Sequence, residues 1–232
     1  MNIENLGYAR WYIVGDQIFL TLNDTLISTW IIGAALIALA VVVRIKMKNF
    51  KPVPETKLQN AIEALVEIFE NHVTGIMTKR YAYYGSWFFG LFLFFLASNF
   101  IGIIGLRPPT ADLAATYAMG FTTVVFMQVI GIKHQKWRHL TDFFKPFPLF
   151  MPLNIISDFS RSISLSIRLF GNIMGGLVIM GLVYYMLPWF LTLGPPAVLS
   201  LYFDIFVGAL QAFIFVTLSM YFMMMKAPME DA

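Results

Sequence analysis

Four charged side chains lie inside long apolar stretches of this sequence, where charge most often serves function. Arg168 stands in the apolar run 165–180, and Arg161 precedes it by two helical turns. Arginine cannot lose its charge, because its pKa exceeds about 12. Holding a charge in a bilayer costs from roughly 3 to well over 10 kcal/mol. Of the 13 acids, Asp158 and Asp204 lie well inside apolar stretches, so they are the candidate partners of Arg168.

Helical spacing groups these residues into two polar stripes. One stripe has spacings of three or four and contains Arg161, Ser164, Arg168, Asn172 and Gly175; the other contains Asp204, Gly208, Gln211 and Phe215. Residues at such spacings share one face of a helix. We expect the two stripes to face each other or a common aqueous cavity. Gly171 and Gly175 form a small-xxx-small pattern, which predicts close approach of another helix.

Depth along the helices suggests a divided path. Asp158 lies about two turns from one end of its helix, Asp204 lies about two turns from the opposite side of the membrane, and Arg168 lies between them. A carboxylate would be reachable from each side, and the fixed cation would interrupt a continuous proton or cation wire.

Simpler interpretations remain open for several of these residues. Asp158 and Arg161 are an i,i+3 pair that would neutralise each other. Asp112 is a further candidate for the divided path or for charge pairing, as are Arg161 and Ser164, and its position next to Thr110 also suits a helix N-cap. Asn172 and Gln211 are suited to interhelical hydrogen bonding, and a purely structural Arg168 would need Asp204 as its partner.

The composition identifies the kind of protein that must position these side chains. The chain has 232 residues, of which 59% are hydrophobic and 12% charged. A soluble domain carries about twice that charged fraction, and several apolar runs reach the roughly 20 residues needed to cross a bilayer. We predict an all-α integral membrane protein with a single domain over 1–232.

The predicted elements are five membrane helices and one amphipathic surface helix. A polar lead-in, 1–24, precedes membrane helices at 26–43, 84–106, 113–132, 147–187 and 197–225. Residues 57–77 show apolar side chains at helical spacing with acids and amides between them, which predicts a surface helix. The last two membrane helices are too long for perpendicular crossings, so we expect them to be strongly tilted.

Basic residues fix the expected orientation. One side would hold Arg44, Lys46, Lys48, Lys51, Lys57, Lys79, Arg80, Lys133, Lys136, Arg138, Lys145 and Lys226, and the other would hold Arg10 and Arg107. The positive-inside rule then places the N-terminus outside and the C-terminus in the cytoplasm. It also accounts for the net charge of +3 without a nucleic-acid partner.

Several kinds of chemistry find no support in the sequence. The chain has no cysteine, which excludes disulfides and thiolate metal sites. The spacings of His72, His134 and His139 do not suit a metal site. We find neither a phosphate-binding loop nor a nucleophile–base arrangement, and we expect no cofactor.

The polar motifs resemble a known family. The segments 164–172 (SLSIRLFGN) and 210–215 (LQAFIF) look like signatures of subunit a of F-type ATP synthases. Segments 98–100, 109–113 and 152–156 also fit, and the resemblance extends over nearly the whole chain from the first span onward.

The resemblance implies a non-catalytic, ion-conducting stator subunit of a rotary ATP synthase. Arg168 would attract the carboxylate of a rotating c-subunit ring and prevent leakage between two offset half-channels for H⁺ or Na⁺. Gln211 would sit beside Arg168, Asn172 would line the outer half-channel, and the two long helices would follow the ring. The 57–77 helix would lie near b-type peripheral stalk subunits. The expected location is a bacterial rather than an organellar membrane.

This sequence departs from the family pattern at two places. Leu177 stands where many members carry the half-channel glutamate, and Asp204 lies seven residues before Gln211, where those members often have a histidine or a small residue. We infer that Asp204 supplies the outer carboxylate instead. Ser157 and Asp158 replace a pair of acids, so Asp158 alone would serve the cytoplasmic half-channel.

Two other functions were weighed. A secondary transporter with Arg168 binding an anionic substrate would have a midplane cavity and an internal repeat, and the sequence shows no repeat. A structural membrane scaffold would not explain polar faces beside an arginine.

Overall fold

Helices dominate the structure, a computed structural model that describes residues 10–14, 17–22, 24–48, 50, 56–104, 107–136, 141, 144, 147–188 and 194–227. The longer helices are α1 (Asp24–Met47), α2 (Lys57–Ile76), α3 (Gly85–Phe100), α4 (Leu113–Gln135) and α5 (Met151–Met186). The chain then forms α6 (Pro195–Ser200), a π-helical segment (Leu201–Val207) and α7 (Gly208–Lys226). Parts of the predicted lead-in, of the turn 188–196 and of the basic segment after α4 lie outside the described residues.

The membrane helices lie close to their predicted positions. Within the described residues, four helices are long and apolar enough to cross a membrane: Thr25–Met47, Leu113–Gln135, Met151–Met186 and Val198–Lys226. The fifth predicted span corresponds to α3, which has 16 residues and continues as a 3-10 helix over Ile101–Ile104. The all-helical membrane core is therefore confirmed, whereas a fifth crossing stays a prediction.

A short hairpin lies within the predicted lead-in, outside the helical membrane core. Strand β1 (Arg10–Val14) pairs antiparallel with β2 (Gln17–Leu22), and the register shifts between Tyr12 and Ile13. Both strands are rich in aromatic and β-branched residues, which favour extended backbone.

Helix α2 is the predicted amphipathic helix, and half of it packs on the bundle. Thr56 caps its N-terminus by accepting a hydrogen bond from the Gln59 amide at 3.2 Å. Val73 is 2% exposed and lies in an apolar cluster with residues of α3, α4 and α7. Leu58 and Leu65 remain exposed. The first half of α2 therefore leaves its apolar side chains without cover among the described residues.

The centre of the bundle is an apolar cluster shared by α3, α5 and α7. Its buried members are Phe95, Leu165, Leu169, Ala212 and Phe215. Helix α4 packs along α5 and α7. Between membrane helices, such close packing replaces the hydrophobic effect as the main source of association.

The closest helix approaches do not involve the predicted glycine pair. A Cβ added at Gly171 or Gly175 would meet nothing within 4 Å, so no described part of this chain approaches closely there. A close approach by a helix of another chain stays a prediction. The close contacts are at Gly120, where α4 meets Ser162 and Ser166 of α5, and at Gly208, where α7 meets Asn99. Helical spacing shows which face of a helix carries small side chains, but it does not show which helix packs against that face.

Candidate functional site

Helix α5 positions Arg168 through the residues on either side of it. Leu165 and Leu169 are buried in the central cluster, so the helix presents Arg168 and Ser164 on its exposed side. The predicted stripe from Arg161 to Gly175 is thus half-buried to exposed and is not packed along the last helix. The expectation that the two stripes face each other holds for a single contact, described below.

Arg168 has no ion pair or hydrogen bond to any residue that the structure describes. Its side chain is exposed, and its neighbour Ile167 is 49% exposed. The structural alternative, in which Arg168 pairs with Asp204, finds no such contact among the described residues. The arginine is a permanent cation on an open face of α5, which it shares with Ser164 and Ile167.

Asn172 and Gln211 meet one turn along α5 from Arg168. The Nδ2 of Asn172 donates to the Oε1 of Gln211 at 2.8 Å. Gln211 is 1% exposed, and its Nε2 is buried without a partner among the described residues. Asn172 therefore holds the Gln211 carbonyl, which leaves the two Nε2 donor protons of that amide available.

A large cavity adjoins this pair on the side where α5 ends. Its volume is about 700 Å³, and its polar lining residues are Asn99, Arg107, Asn172, Tyr184, Ser200 and Asp204. The carboxylate of Asp204 accepts a hydrogen bond from the Ser200 hydroxyl. Leu177 lines the same cavity, so Asp204 and the position expected to carry a glutamate border one space.

The π-helical segment that carries Asp204 is fixed to α3. The Nδ2 of Asn99 donates to the backbone carbonyl of Gly208 at 2.8 Å, and Thr110 donates to the Oδ1 of Asn99 at 3.1 Å. A π-helix shifts the hydrogen-bond ladder and often marks a functional position. Asn99 and Thr110 were noted in family motifs without a role, and their polarity within apolar sequence was the available signal.

At the opposite end of the site, Asp158 is 2% exposed. The alternative pairing with Arg161 is present: Arg161 Nη1 lies 3.3 Å from Asp158 Oδ1. A second cation, Lys226, lies 2.7 Å from Asp158 Oδ2. This contact was not predicted from the sequence, in which Lys226 served only as an orientation signal.

Asp112 and His72 have structural contacts, and His139 lies outside the described residues. The Oδ1 of Asp112 accepts a hydrogen bond from the Ala114 amide at 2.9 Å, which makes Asp112 the N-cap of α4. The His72 Nε2 lies 3.0 Å from the Thr217 hydroxyl, and burial lowers the pKa of His72. Within the described part of the chain, no group of three or more His, Asp or Glu residues could hold a metal ion.

Known proteins similar to this chain are of one kind. The family model described as ATP synthase A chain matches residues 26–224. ATP synthase subunit a of Moorella thermoacetica is 32% identical over 84% of this chain and 87% of its own. The Syntrophobacter fumaroxidans protein of that name is 32% identical over 94% of this chain and 90% of its own. A Propionigenium modestum relative, named as sodium ion specific, is 34% identical over 84% of this chain and 71% of its own.

Proposed function

Because the chain belongs to the ATP synthase A chain family, we propose that it is the ion-conducting stator subunit of a rotary ATP synthase. The membrane-spanning helices and the bacterial relatives support a place in a bacterial plasma membrane. In this role the subunit catalyses no ATP chemistry, which belongs to the soluble sector of the complex, and it needs no cofactor.

The observation that carries the proposal is the unpartnered cation on the open face of α5. Arg168 is exposed and has no partner among the described residues. Its exposed neighbours include the apolar Ile163 and Ile167, which are 44% and 49% exposed. An uncompensated cation in such a setting stabilises an opposite charge brought close to it. We assign that charge to the carboxylate of a c-subunit ring, which would arrive and leave as the ring turns.

The outer half-channel is proposed to be the cavity that contains Asp204. It extends from Arg107 to Asn172, so it ends one turn from Arg168. Asp204 supplies the acid that Leu177 cannot, and ions would pass from this acid towards the pair of Asn172 and Gln211. On the inner side, the half-channel would lie near Asp158, the acid carried by the first turns of α5.

Length and charge support the remaining features of the proposal. Helix α5 has 36 residues, about 54 Å at 1.5 Å per residue, against a hydrocarbon core of about 30 Å. It would tilt and follow the ring together with the last helix. Five crossings, with the N-terminus outside and the C-terminus in the cytoplasm, would put the exposed half of α2 where b-type peripheral stalk subunits bind.

The conducted ion is proposed to be H⁺ or Na⁺. One relative is named as sodium ion specific. The choice would depend largely on the ring's binding site, which is on another chain. Dependence of ATP hydrolysis on Na⁺ in the purified complex distinguishes the two ions.

The test of the proposal is Arg168→Ala in the whole complex. We expect it to abolish ATP-driven ion pumping and ATP synthesis. Without the Arg168 cation, ring carboxylates would no longer be attracted to this face, and ions would leak between the two half-channels. Pumping is measured in inverted vesicles, and assembly by the amount of complex in the membrane. Arg44→Ala, which removes an exposed cation from the end of α1, should leave pumping unchanged. Normal coupled pumping by Arg168→Ala would refute the proposal.

A further inference from the structure

Three helices converge on the carboxylate of Asp158. From its own helix, Arg161 Nη1 lies 3.3 Å from Oδ1. From α4, Gln128 Nε2 donates to Oδ2 at 3.0 Å. From the end of α7, Lys226 Nζ lies 2.7 Å from the same oxygen. A carboxylate offers about four acceptor positions, and three of them are already occupied by protein donors.

The end of α7 is held by a second contact as well. Lys226 is the last residue of the helix, where backbone carbonyls lose their intrahelical partners. Gln135 of α4 donates from Nε2 to the Lys226 carbonyl at 2.8 Å. The side chain and the backbone of Lys226 are therefore fixed to two different helices.

Little space for water surrounds this carboxylate. The cavity that Asp158 lines with Arg161 and Phe222 has a volume of about 10 Å³, whereas the cavity beside Asp204 has about 700 Å³. A site needs roughly 10–15 Å³ to hold one water molecule. Protonation of Asp158 during turnover would remove, in each cycle, the negative charge that pairs with Lys226 and Arg161.

We propose that Asp158 and Lys226 form a permanent clamp between α5 and α7, and that Asp158 does not itself carry the ion. The clamp fixes the sliding position of α7 along α5. Gln211 is then kept beside Asn172, one turn from Arg168. Asp158 and Lys226 are thus positioning residues, and the inner half-channel passes near this clamp rather than through its carboxylate. The effect of the clamp on ion flow rests on the proposed function.

The test compares Asp158→Asn, Lys226→Gln, Lys226→Arg and the double variant Asp158→Asn/Lys226→Gln. Removing one member of a buried pair leaves the other charge uncompensated, whereas removing both does not. The complex is reconstituted in vesicles, and two rates are measured per assembled complex: ATP-driven pumping, and passive ion leakage without nucleotide. A loss of assembly alone would lower the yield of complex without changing these rates.

We expect each neutralising single variant to pump at least several-fold more slowly and to leak more. Lys226→Arg should retain the activity, and the double variant should recover most of it. A double variant that pumps no better than Asp158→Asn overturns the clamp, since an ion-carrying Asp158 cannot be rescued by a change at Lys226. Where a single variant does not assemble, the same comparison is made on the amount of complex. Arg168→Ala in the same vesicles tests the proposed function separately.

Discussion

Two hydrogen-bond donors without partners in the described part of the chain lie close together in the group formed by Arg168, Asn172 and Gln211. The Gln211 Nε2 is buried without a partner among the described residues, which costs about 1–3 kcal/mol for a buried donor. Arg168 lies one turn away and also lacks a partner there. We infer that both groups are satisfied in the assembled complex, when a ring carboxylate or a water molecule reaches them.

The acid of the outer path can be tested at Asp204. Asp204→Asn should slow ion entry from the outer side, because the amide cannot take up and release a proton or bind a cation as a carboxylate does. Leu177→Glu in that background should restore part of the rate, since Leu177 lines the same cavity. The measurement is ion flux in reconstituted vesicles.

The matched control for Asp204 is Asp112→Asn, at the same end of the bundle. Asp112 caps α4, and asparagine caps a helix about as well as aspartate does. We therefore expect wild-type flux from this control. Wild-type flux in Asp204→Asn as well would show that Asp204 does not replace the glutamate that is missing at Leu177.

Some of these assignments were accessible from the sequence, and others were not. Residue type and helical phase indicated Arg168 and brought Asn172 and Gln211 together, because both lie on polar stripes within apolar helices. The contact between Asp158 and Lys226 joins two helices that are far apart in the chain. Periodicity within one helix carries no information about such a pair.

The distance between packed helices is set by small residues where the helices cross. These residues do not lie on the face of α5 that carries Arg168. Gly120 of α4 lies against the Ser162 and Ser166 side chains of α5. The open surroundings of Gly171 and Gly175 leave the Arg168 face flat for another protein. The bounds of α4 and α5 followed from hydropathy, whereas the crossing point required the packed structure.

The crossing of α4 and α5 can be tested with Gly120→Ala. The added Cβ would meet the Ser166 hydroxyl and lie 3.1 Å from the backbone carbonyl oxygen of Ser162. Overpacking of this kind costs about 1–3 kcal/mol, so we expect a lower unfolding temperature of the detergent-solubilised complex. Gly181→Ala, on α5 with nothing within 4 Å, is the control, and equal melting of the two variants would contradict the close approach.

The docking of α2 on α7 should depend on pH through His72. Its ring lies 4.7 Å from that of Phe213, and burial lowers its pKa from the ordinary 6.5. The unfolded state then binds more protons than the folded state, so docking is fully stable above pH 6.5 and weakens as the pH falls below it. After correction for the intrinsic pH effect on exchange, the protection of the amides of 69–76 should therefore fall in acid.

A His72→Gln variant provides the control for this pH dependence. Glutamine can still hydrogen-bond with Thr217, but it does not titrate. Its exchange, corrected for the intrinsic pH effect, should be flat between pH 7.5 and 5.5. A variant that keeps the wild-type pH dependence would assign the effect to another group.

For the molecule as a whole, one end of the bundle is open and the other is closed. The cavity beside Asp204 occupies the end where α5 finishes, and Asp158, Gln128 and Lys226 close the other end. The asymmetry was not predictable from composition, since each end carries one intramembrane acid. It depends on the contacts that each acid makes.

The proposed orientation can be tested with single cysteines, because the chain has none of its own. Glu67→Cys, on the exposed part of α2, should react with a membrane-impermeant maleimide only from the cytoplasmic side. Pro188→Cys, after α5, should react only from outside. Labelling is measured on intact cells and on inverted vesicles. Reaction of both cysteines from the same side would overturn the five-crossing arrangement.

The open cavity also affects where the membrane voltage falls. When hydrated from the outer solution, about 700 Å³ of water would be close to the outer electrical potential. The voltage would then drop mainly across the closed part of the protein, between Asn172 and Lys226. Moving one charge through 100 mV yields about 2.3 kcal/mol, and concentrating that drop over a shorter distance raises the field at Arg168. The voltage dependence of ion flux through the membrane sector measures this focusing, and a linear response would argue against it.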